Sequence, residues 1–258
     1  ILSWHHRGGT PVDLEPIVRR MMERGPGAIL KVIPFADSST DNLRVRTVLA
    51  AARQENRGLI AFCMGEGGKA SRILARAWGS WAVYAPATER AQTAPGQLLV
   101  SDLADLYRYR GLTETTPLTG ILGFPLSHSL SPLLYNRAYA ELAMDRCFIP
   151  FETEHVGEFL PLLSELPVAG LAVTHPHKIA MSAYCDELDP VAAEVGAVNT
   201  VVRRWNRLVG YNTDVEGGIA PLRRRIELKG ARVGILGIGG AARALARGLT
   251  QEGAEVVL

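Results

Sequence analysis

Apolar and polar positions alternate along this chain with two different periods, and the switch between them marks out its elements. Over the first part, short apolar runs at residues 1–4, 28–33, 59–63 and 81–84 read as strands. Between them, residues 14–23, 41–54 and 71–77 carry apolar side chains at helical spacing, which predicts helices. This is a β–α repeat at barrel-like intervals, with polar residues gathered where strands end. A complete eight-unit barrel takes about 250 residues, so half of one is expected here. Half a barrel leaves two unpaired edges and is not expected to be stable by itself.

The polar stretch Thr113, Glu114, Thr115, Thr116, Pro117 is the expected boundary. A second alternation follows it, with strand 118–122, helix 131–142, strand 147–151, helix 156–163 and strand 170–173. Pro132 suits the first turn of a helix that Ser131 caps. Residues 198–202 and 207–210 read as paired strands, and strand 233–236, a glycine turn, helix 241–251 and strand 255–258 make one β–α–β unit. The chain therefore divides into residues 1–112, 117–220 and 221–258. Residue 1 is Ile in what reads as the end of a strand, and the last strand reads as just begun, so both ends look cut.

Composition narrows the class without naming a chemistry. Apolar residues make up 47% of the 258, enough for substantial cores. Lys and Arg number 28 against 26 Asp and Glu, so overall charge predicts no nucleic-acid partner. Arg203, Arg204, Arg207 and the run Arg223 to Arg225 read as solvated basic faces. No apolar run approaches the ~18 residues of a membrane helix, so no membrane partner is expected. Cys63, Cys147 and Cys185 are odd in number and widely spaced, which suits thiols in a reducing compartment such as the cytoplasm.

Three groups stand at predicted strand ends in the first part: His5, Lys31 and Arg72. A lysine inside the apolar run Ala28 to Ile33 is costly to bury charged, and desolvation favours the neutral amine that attacks a ketone. Alone, Lys31 also reads as a lysine whose tip reaches solvent, and His5 as a hydrogen-bonded structural histidine. His5 and His6 make a poor metal site, because adjacent strand residues point to opposite faces, and no metal is expected. Taken whole, Ser3-Trp4-His5, Lys31, Met64-Gly65 with Gly68 and Ser71-Arg72, and Ala94 to Gln97 resemble the second half of a type I 3-dehydroquinate dehydratase. The resemblance implies that Lys31 forms a Schiff base with the substrate ketone and that His5 moves the proton at the adjacent carbon. It implies that Arg72 holds the substrate carboxylate through two-pronged contacts, with Thr93 and Gln97 as further binding groups. The acidic partner of the histidine in that family is expected upstream of Ile1.

In the second part, Ser127, His128, Ser129 and Ser131 lie between Pro125 and Pro132, directly after an apolar run. Thr174, Lys178, Asn199, Asn212 and Asp214 follow, and then Gly237, Gly239, Gly240 and Ala241 between a strand and a helix. Glycines there permit a tight turn and close backbone approach, while the helix N-terminus favours a pyrophosphate. Ser131 also reads as a helix cap, Asn199 as a turn brace, Asp214 as a turn residue and Lys178 as a surface lysine. In this order the motifs resemble a shikimate dehydrogenase from near Pro117 onward. The resemblance implies that Ser129 and Ser131 grip a carboxylate and that Thr174 and Asn199 bond ring hydroxyls. Lys178 and Asp214 would flank the reacting hydroxyl, and the glycine turn would bind NADP. Two positions depart from the family pattern: Ala172 replaces its usual Asn, and Tyr135 its usual His.

The expected fold is thus α/β: a partial (β/α)8 barrel, a shikimate dehydrogenase-like substrate domain and the start of a Rossmann domain. The expected function is bifunctional and belongs to the shikimate pathway: dehydration of 3-dehydroquinate to 3-dehydroshikimate, then NADPH-dependent reduction to shikimate. An NAD-dependent quinate/shikimate dehydrogenase and a non-catalytic metabolite sensor are the alternatives. A plastid location follows if a transit peptide precedes Ile1.

Overall fold

The computed structural model of the protein describes residues 1–257. By contacts the chain forms two compact units. The first holds Ile1–Ile121 and Pro125–Val168, and the second holds Leu122–Phe124 and the residues from Ala169 onward.

In the first unit, β1 (Leu2–His5), β2 (Leu30–Ile33) and β3 (Leu59–Ala61) form a parallel sheet in that order. The crossovers are α1 (Glu15–Arg24) and α2 (Asn42–Gln54), and α3 (Lys69–Leu74) follows β3. Register fixes the faces: Ser3 stands opposite Lys31, His5 opposite Ile33, and Lys31 opposite Ile60. With strand alternation, those five side chains share one face, while Leu30, Val32, Leu59 and Ala61 occupy the other. This second set is fully buried, and α1 and α2 contact its strands.

The periodicity therefore locates these elements to within three residues, with one correction. Residues 81–84 are extended but join no ladder; the described sheet has three strands and no closed barrel. The Trp81 amide donates to the Leu59 carbonyl at 2.9 Å, and there the pairing stops. Ser80 explains why. Its hydroxyl accepts the Ala61 amide at 3.2 Å and donates to the Ala82 carbonyl at 2.8 Å, taking bonds that a fourth strand would make.

The same unit contains β4 (Leu118–Gly123), which runs on into the second unit, α4 (Ser131–Glu141), β5 (Cys147–Glu152) and α5 (Val156–Glu165). These later elements are tied to the three-stranded sheet's side of the unit by buried polar bonds. Ser39 Oγ donates to the Glu152 carbonyl at 2.7 Å, and Ser38 and Thr153 share a hydroxyl contact at 3.1 Å.

In the second unit, β6 (Val168–Val173), β8 (Thr200–Arg204), β9 (Arg207–Tyr211) and the short β7 (Glu187–Leu188) lie side by side in that order. Helices α6 (Pro190–Val195) and α7 (Asp214–Arg223) flank them in sequence. The β–α–β unit is β10 (Arg232–Gly234), α8 (Gly240–Gln251) and β11 (Glu255–Val257), with the two strands parallel. Predicted strand residue Leu258 lies outside the described residues. Ile219 of α7, Leu228 and Leu249 of α8 form a buried cluster on which Val233 and Val256 pack, so α7 is the floor of that unit.

Candidate active sites

The shared face of β1–β3 opens into a cavity of about 220 Å³. His5, Lys31, Ile33, Phe62 and Met64 line it from the strands and their ends, Arg72 from α3, and Tyr84, Thr93 and Gln97 from the chain that follows. The sequence-predicted groups of the first part therefore meet in one place, with Arg7 added at the rim. His5 is exposed at the end of β1, whereas Lys31 is half-buried. Burial, then the positive charges of Lys31 and Arg7, hold the His5 imidazole below the ordinary value of 6.5, which favours its neutral, proton-accepting form.

Arg72 is the most unusual side chain of the cavity. It is 2% exposed, and neither its Nε nor its Nη1 has a hydrogen-bond partner. Burial pulls its guanidinium from 12.5 down to about 10. Its carbon rests on the Phe62 ring, 4.6 Å from the centroid. A buried cation with free donors facing a cavity is complementary to an anion, and the planar fork suits a carboxylate.

What holds Arg72 there is a brace that sequence pattern does not reveal. The Ser71 amide donates to Asn42 Oδ1 at 3.1 Å, and Asn42 Nδ2 donates to the carbonyls of Ser39 and Gly67 at 2.6 and 2.7 Å. Ser71 Oγ accepts the Cys63 amide at 2.8 Å and donates to the Gly68 carbonyl at 2.8 Å. Asn42 and Ser71 are fully buried, so α2, β3 and α3 are locked together beneath the guanidinium. Gln97 curls onto its own turn instead of reaching outward. Its Oε1 accepts the amides of Thr93 and Ala94 at 2.7 and 3.2 Å, and its Nε2 faces Thr93 Oγ1 at 3.4 Å.

Ser129 and Ser131 belong to the first unit, beside a nearly buried carboxyl. Glu152 accepts the Leu126 amide at 2.7 Å, and the Leu126 carbonyl accepts the Ser129 amide at 3.0 Å. Burial raises Glu152 above its ordinary value, the Leu126 amide partly offsetting this. The expected cap is corrected here. Leu130 holds the N-cap position, and the hydroxyl that accepts the Ser131 amide, at 3.3 Å, is that of Ser129. The helix starts at residue 131 as expected, but Ser131 is thereby its first helical residue and not its cap, which leaves its own hydroxyl off the cap.

The second cluster lies where three strands of the second unit end together. Ala172 near the end of β6 pairs with Thr200 at the start of β8, and Thr200 pairs with Tyr211 at the end of β9. The turn after β6 carries Thr174 and Lys178, Asn199 precedes β8, and Asp214 opens α7 after β9. A gap of 36 residues is thereby closed: Lys178 Nζ meets Asp214 Oδ2 at 2.5 Å. Asp214 sits in the first turn of α7, where the helix dipole favours a carboxylate. Its other oxygen accepts Asn199 Nδ2 at 2.7 Å. Asn199 also donates to Thr213 Oγ1 at 2.9 Å and accepts the Thr213 amide at 2.9 Å, so its side chain holds Asp214 in place. Asn212 is buried and ties the Asp214 amide, at 3.1 Å, to the Ala197 carbonyl, at 2.9 Å.

The glycine turn is exposed and open. Gly237 has φ +120°, accessible to glycine at no steric penalty, and a Cβ at Gly237 or Gly239 would meet nothing within 4 Å. Gly240 differs: a Cβ there would lie 2.7 Å from Lys178 Cβ and 3.3 Å from Ala197 Cβ. The N-terminus of α8 thus rests directly on the stem of Lys178. Space above the first two glycines and a helix start behind them fit a dinucleotide pyrophosphate.

Residues 1–114 match the type I 3-dehydroquinase family, and residues 121–201 match the shikimate dehydrogenase substrate binding domain. A chloroplastic bifunctional 3-dehydroquinate dehydratase/shikimate dehydrogenase of Arabidopsis thaliana is 34% identical over 276 residues, covering 100% of this chain and 45% of its own. A shikimate dehydrogenase (NADP(+)) of Bacillus cereus is 43% identical over 54% of this chain and 52% of its own. Among solved structures, shikimate dehydrogenase of Aquifex aeolicus superposes with a TM-score of 0.53 at 36% identity, covering 56% of each chain. The chain spans about half the length of the curated relatives it matches. It therefore joins a type I 3-dehydroquinase segment to a shikimate dehydrogenase substrate binding domain in one polypeptide.

Proposed function

We propose that the protein carrying this chain catalyses two successive reactions, dehydration of 3-dehydroquinate and NADPH-dependent reduction of the resulting 3-dehydroshikimate to shikimate. The observation that carries this reading is the cavity in which Lys31, His5 and the unpaired guanidinium of Arg72 converge. Arg72 takes the substrate carboxylate, which relieves its orphaned donors and sets the ring's orientation. Lys31 condenses with the ketone. The resulting iminium withdraws electrons and acidifies the neighbouring C–H, whose proton His5 removes. The hydroxyl beyond that carbon then leaves as water, taking its proton from His5, and hydrolysis frees Lys31. Thr93 and Gln97 line the same space and assist in binding.

In the second reaction Thr174 takes a ring hydroxyl, and Asn199 keeps Asp214 aimed. Lys178 Nζ donates to the Asp214 carboxylate, and that pair serves proton transfer to the substrate oxygen. NADPH, when bound, supplies the hydride to the same carbon. Gly237, Gly239, Gly240 and Ala241 would hold its pyrophosphate, and the preference for NADP follows the names of the relatives.

Nicotinamide oxidation in the intact protein tests both halves. Wild type should oxidise NADPH when given either 3-dehydroquinate or 3-dehydroshikimate. K31M should fail only with 3-dehydroquinate, and K178M should fail with both while still dehydrating. Oxidation from 3-dehydroquinate at the wild-type rate in K31M would overturn the reading.

A further inference from the structure

The cations of the first cavity face aromatic rings. Lys31 Nζ lies 3.9 Å from the centroid of Tyr84, and the Arg72 guanidinium lies over Phe62. The two rings contact each other, with centroids 6.5 Å apart and planes at 51°. Among the described residues that line the cavity, none is acidic. Tyr84 is no core ring, since it is 42% exposed. Its backbone nonetheless has a fixed origin: Ser80 and Trp81 tie the start of this run to β3, and Ala82 and Val83 pack against the cluster of Ile33, Ile60, Phe62 and Met64. The ring is therefore presented to Lys31 by a braced segment.

We propose that Tyr84 is a catalytic residue of the dehydration, its ring face stabilising the positive charge on Lys31 Nζ in the ammonium and iminium states. The inference rests on the reading of Lys31 as the Schiff-base lysine. The condensation balances as R–NH3⁺ + O=C → R–NH⁺=C + H2O. An N–C bond forms, the C=O bond breaks, two protons of the nitrogen leave with the oxygen as water, and the charge stays on nitrogen. Loss of the neighbouring carbon's proton to His5 neutralises that nitrogen as an enamine. Expulsion of the hydroxyl, protonated by His5, restores the iminium, and water then regenerates the ammonium. A cation–π contact strengthens as water is excluded. Substrate filling the cavity displaces water from around Nζ, so the ring holds the iminium more firmly than it holds the hydrated ammonium. Nothing in this role uses the phenol hydroxyl.

The test compares Y84F, Y84M and Y84L in the intact protein, measuring kcat and KM for dehydration and the fraction of Lys31 trapped by borohydride at steady state. Y84F should stay within about 3-fold of wild type. Y84M and Y84L should lose about 10-fold in kcat and in trapped fraction, with KM changed by less than about 3-fold, as expected for a group that acts after binding. Two apolar replacements of different shape separate loss of the ring from a packing defect, and unchanged thermal melts confirm folding. Wild-type behaviour in Y84L, or a loss in Y84F as large as in Y84L, overturns the inference. Absence of any trapping at Lys31 in wild type overturns the Schiff-base reading itself, and the inference falls with it.

Discussion

Replacing Arg72 by Met should make the protein more stable and end its dehydration activity. Burial lowers the guanidinium from 12.5 to about 10, which corresponds to a penalty on the order of 3 kcal/mol for keeping the charge inside. The sign is fixed by linkage. The unfolded chain binds this proton more tightly, so the penalty is fully present below pH about 10 and is relieved as pH rises from there towards 12.5. At neutral pH the whole penalty applies. Losing the contact with Phe62 gives back about 1 kcal/mol. The net gain is about 2 kcal/mol, or about 4–8 °C in Tm for a protein of this size. Thermal melts of wild type and R72M, each with and without 3-dehydroquinate, measure this. Substrate should raise the Tm of wild type, because it pairs the guanidinium, and leave R72M unmoved. A variant that melts below wild type, or that still dehydrates, would refute the reasoning about the orphaned donors.

Three further outcomes follow from the same geometry. R7Q removes a positive charge that helps depress His5, so the acid limb of the dehydration pH–rate profile should move to higher pH; a limb that stays put or moves down contradicts the role given to Arg7. G240A forces a Cβ to within 2.7 Å of Lys178 Cβ, so the lysine must shift away from Asp214, and kcat for the reduction should fall about 10²-fold. Full kcat with only a raised KM for NADPH would show that Gly240 serves the cofactor alone. E152Q keeps the acceptor for the Leu126 amide but removes a carboxyl raised by burial, whose ionised form destabilises the fold. Its advantage over wild type in urea melts should be nil below the ordinary value of 4.5, grow from there up to the raised value and stay constant above it, and a pH-independent difference would contradict this.

The two periodicities in the sequence carry most of the fold, because strands and helices here are set by which face is buried. They fail where a side chain replaces backbone. The run at residues 81–84 has the composition of a strand, and Ala82 and Val83 do pack on the core, yet the Ser80 hydroxyl takes the bonds that would have extended the sheet. A single serine bonding to a strand nineteen residues earlier leaves no local pattern. The candidate groups His5, Lys31, Arg72, Lys178 and Asp214 were legible because unusual residue types stand in a fixed order, although only His5 ends a strand: Lys31 lies inside β2, Arg72 in α3, and Asp214 opens α7. Their supports were not. Asn42 reads as an ordinary helix-start residue until its amide is seen bridging Ser39, Gly67 and Ser71. Asn199 reads as a ligand for substrate until its donors are found on Asp214 and Thr213. Tyr84 carries no sequence signal at all, since an aromatic residue in an apolar run points to a core.

Both the dehydration and the role of Tyr84 require Lys31 to be the nucleophile of the first reaction. Borohydride reduction of the intact protein in the presence of 3-dehydroquinate, followed by peptide mass mapping, tests it directly. A stable substrate adduct is expected on the peptide containing Lys31 and none on the peptide containing Lys178. An adduct on another lysine, or a protein that dehydrates substrate while never becoming labelled, would contradict it.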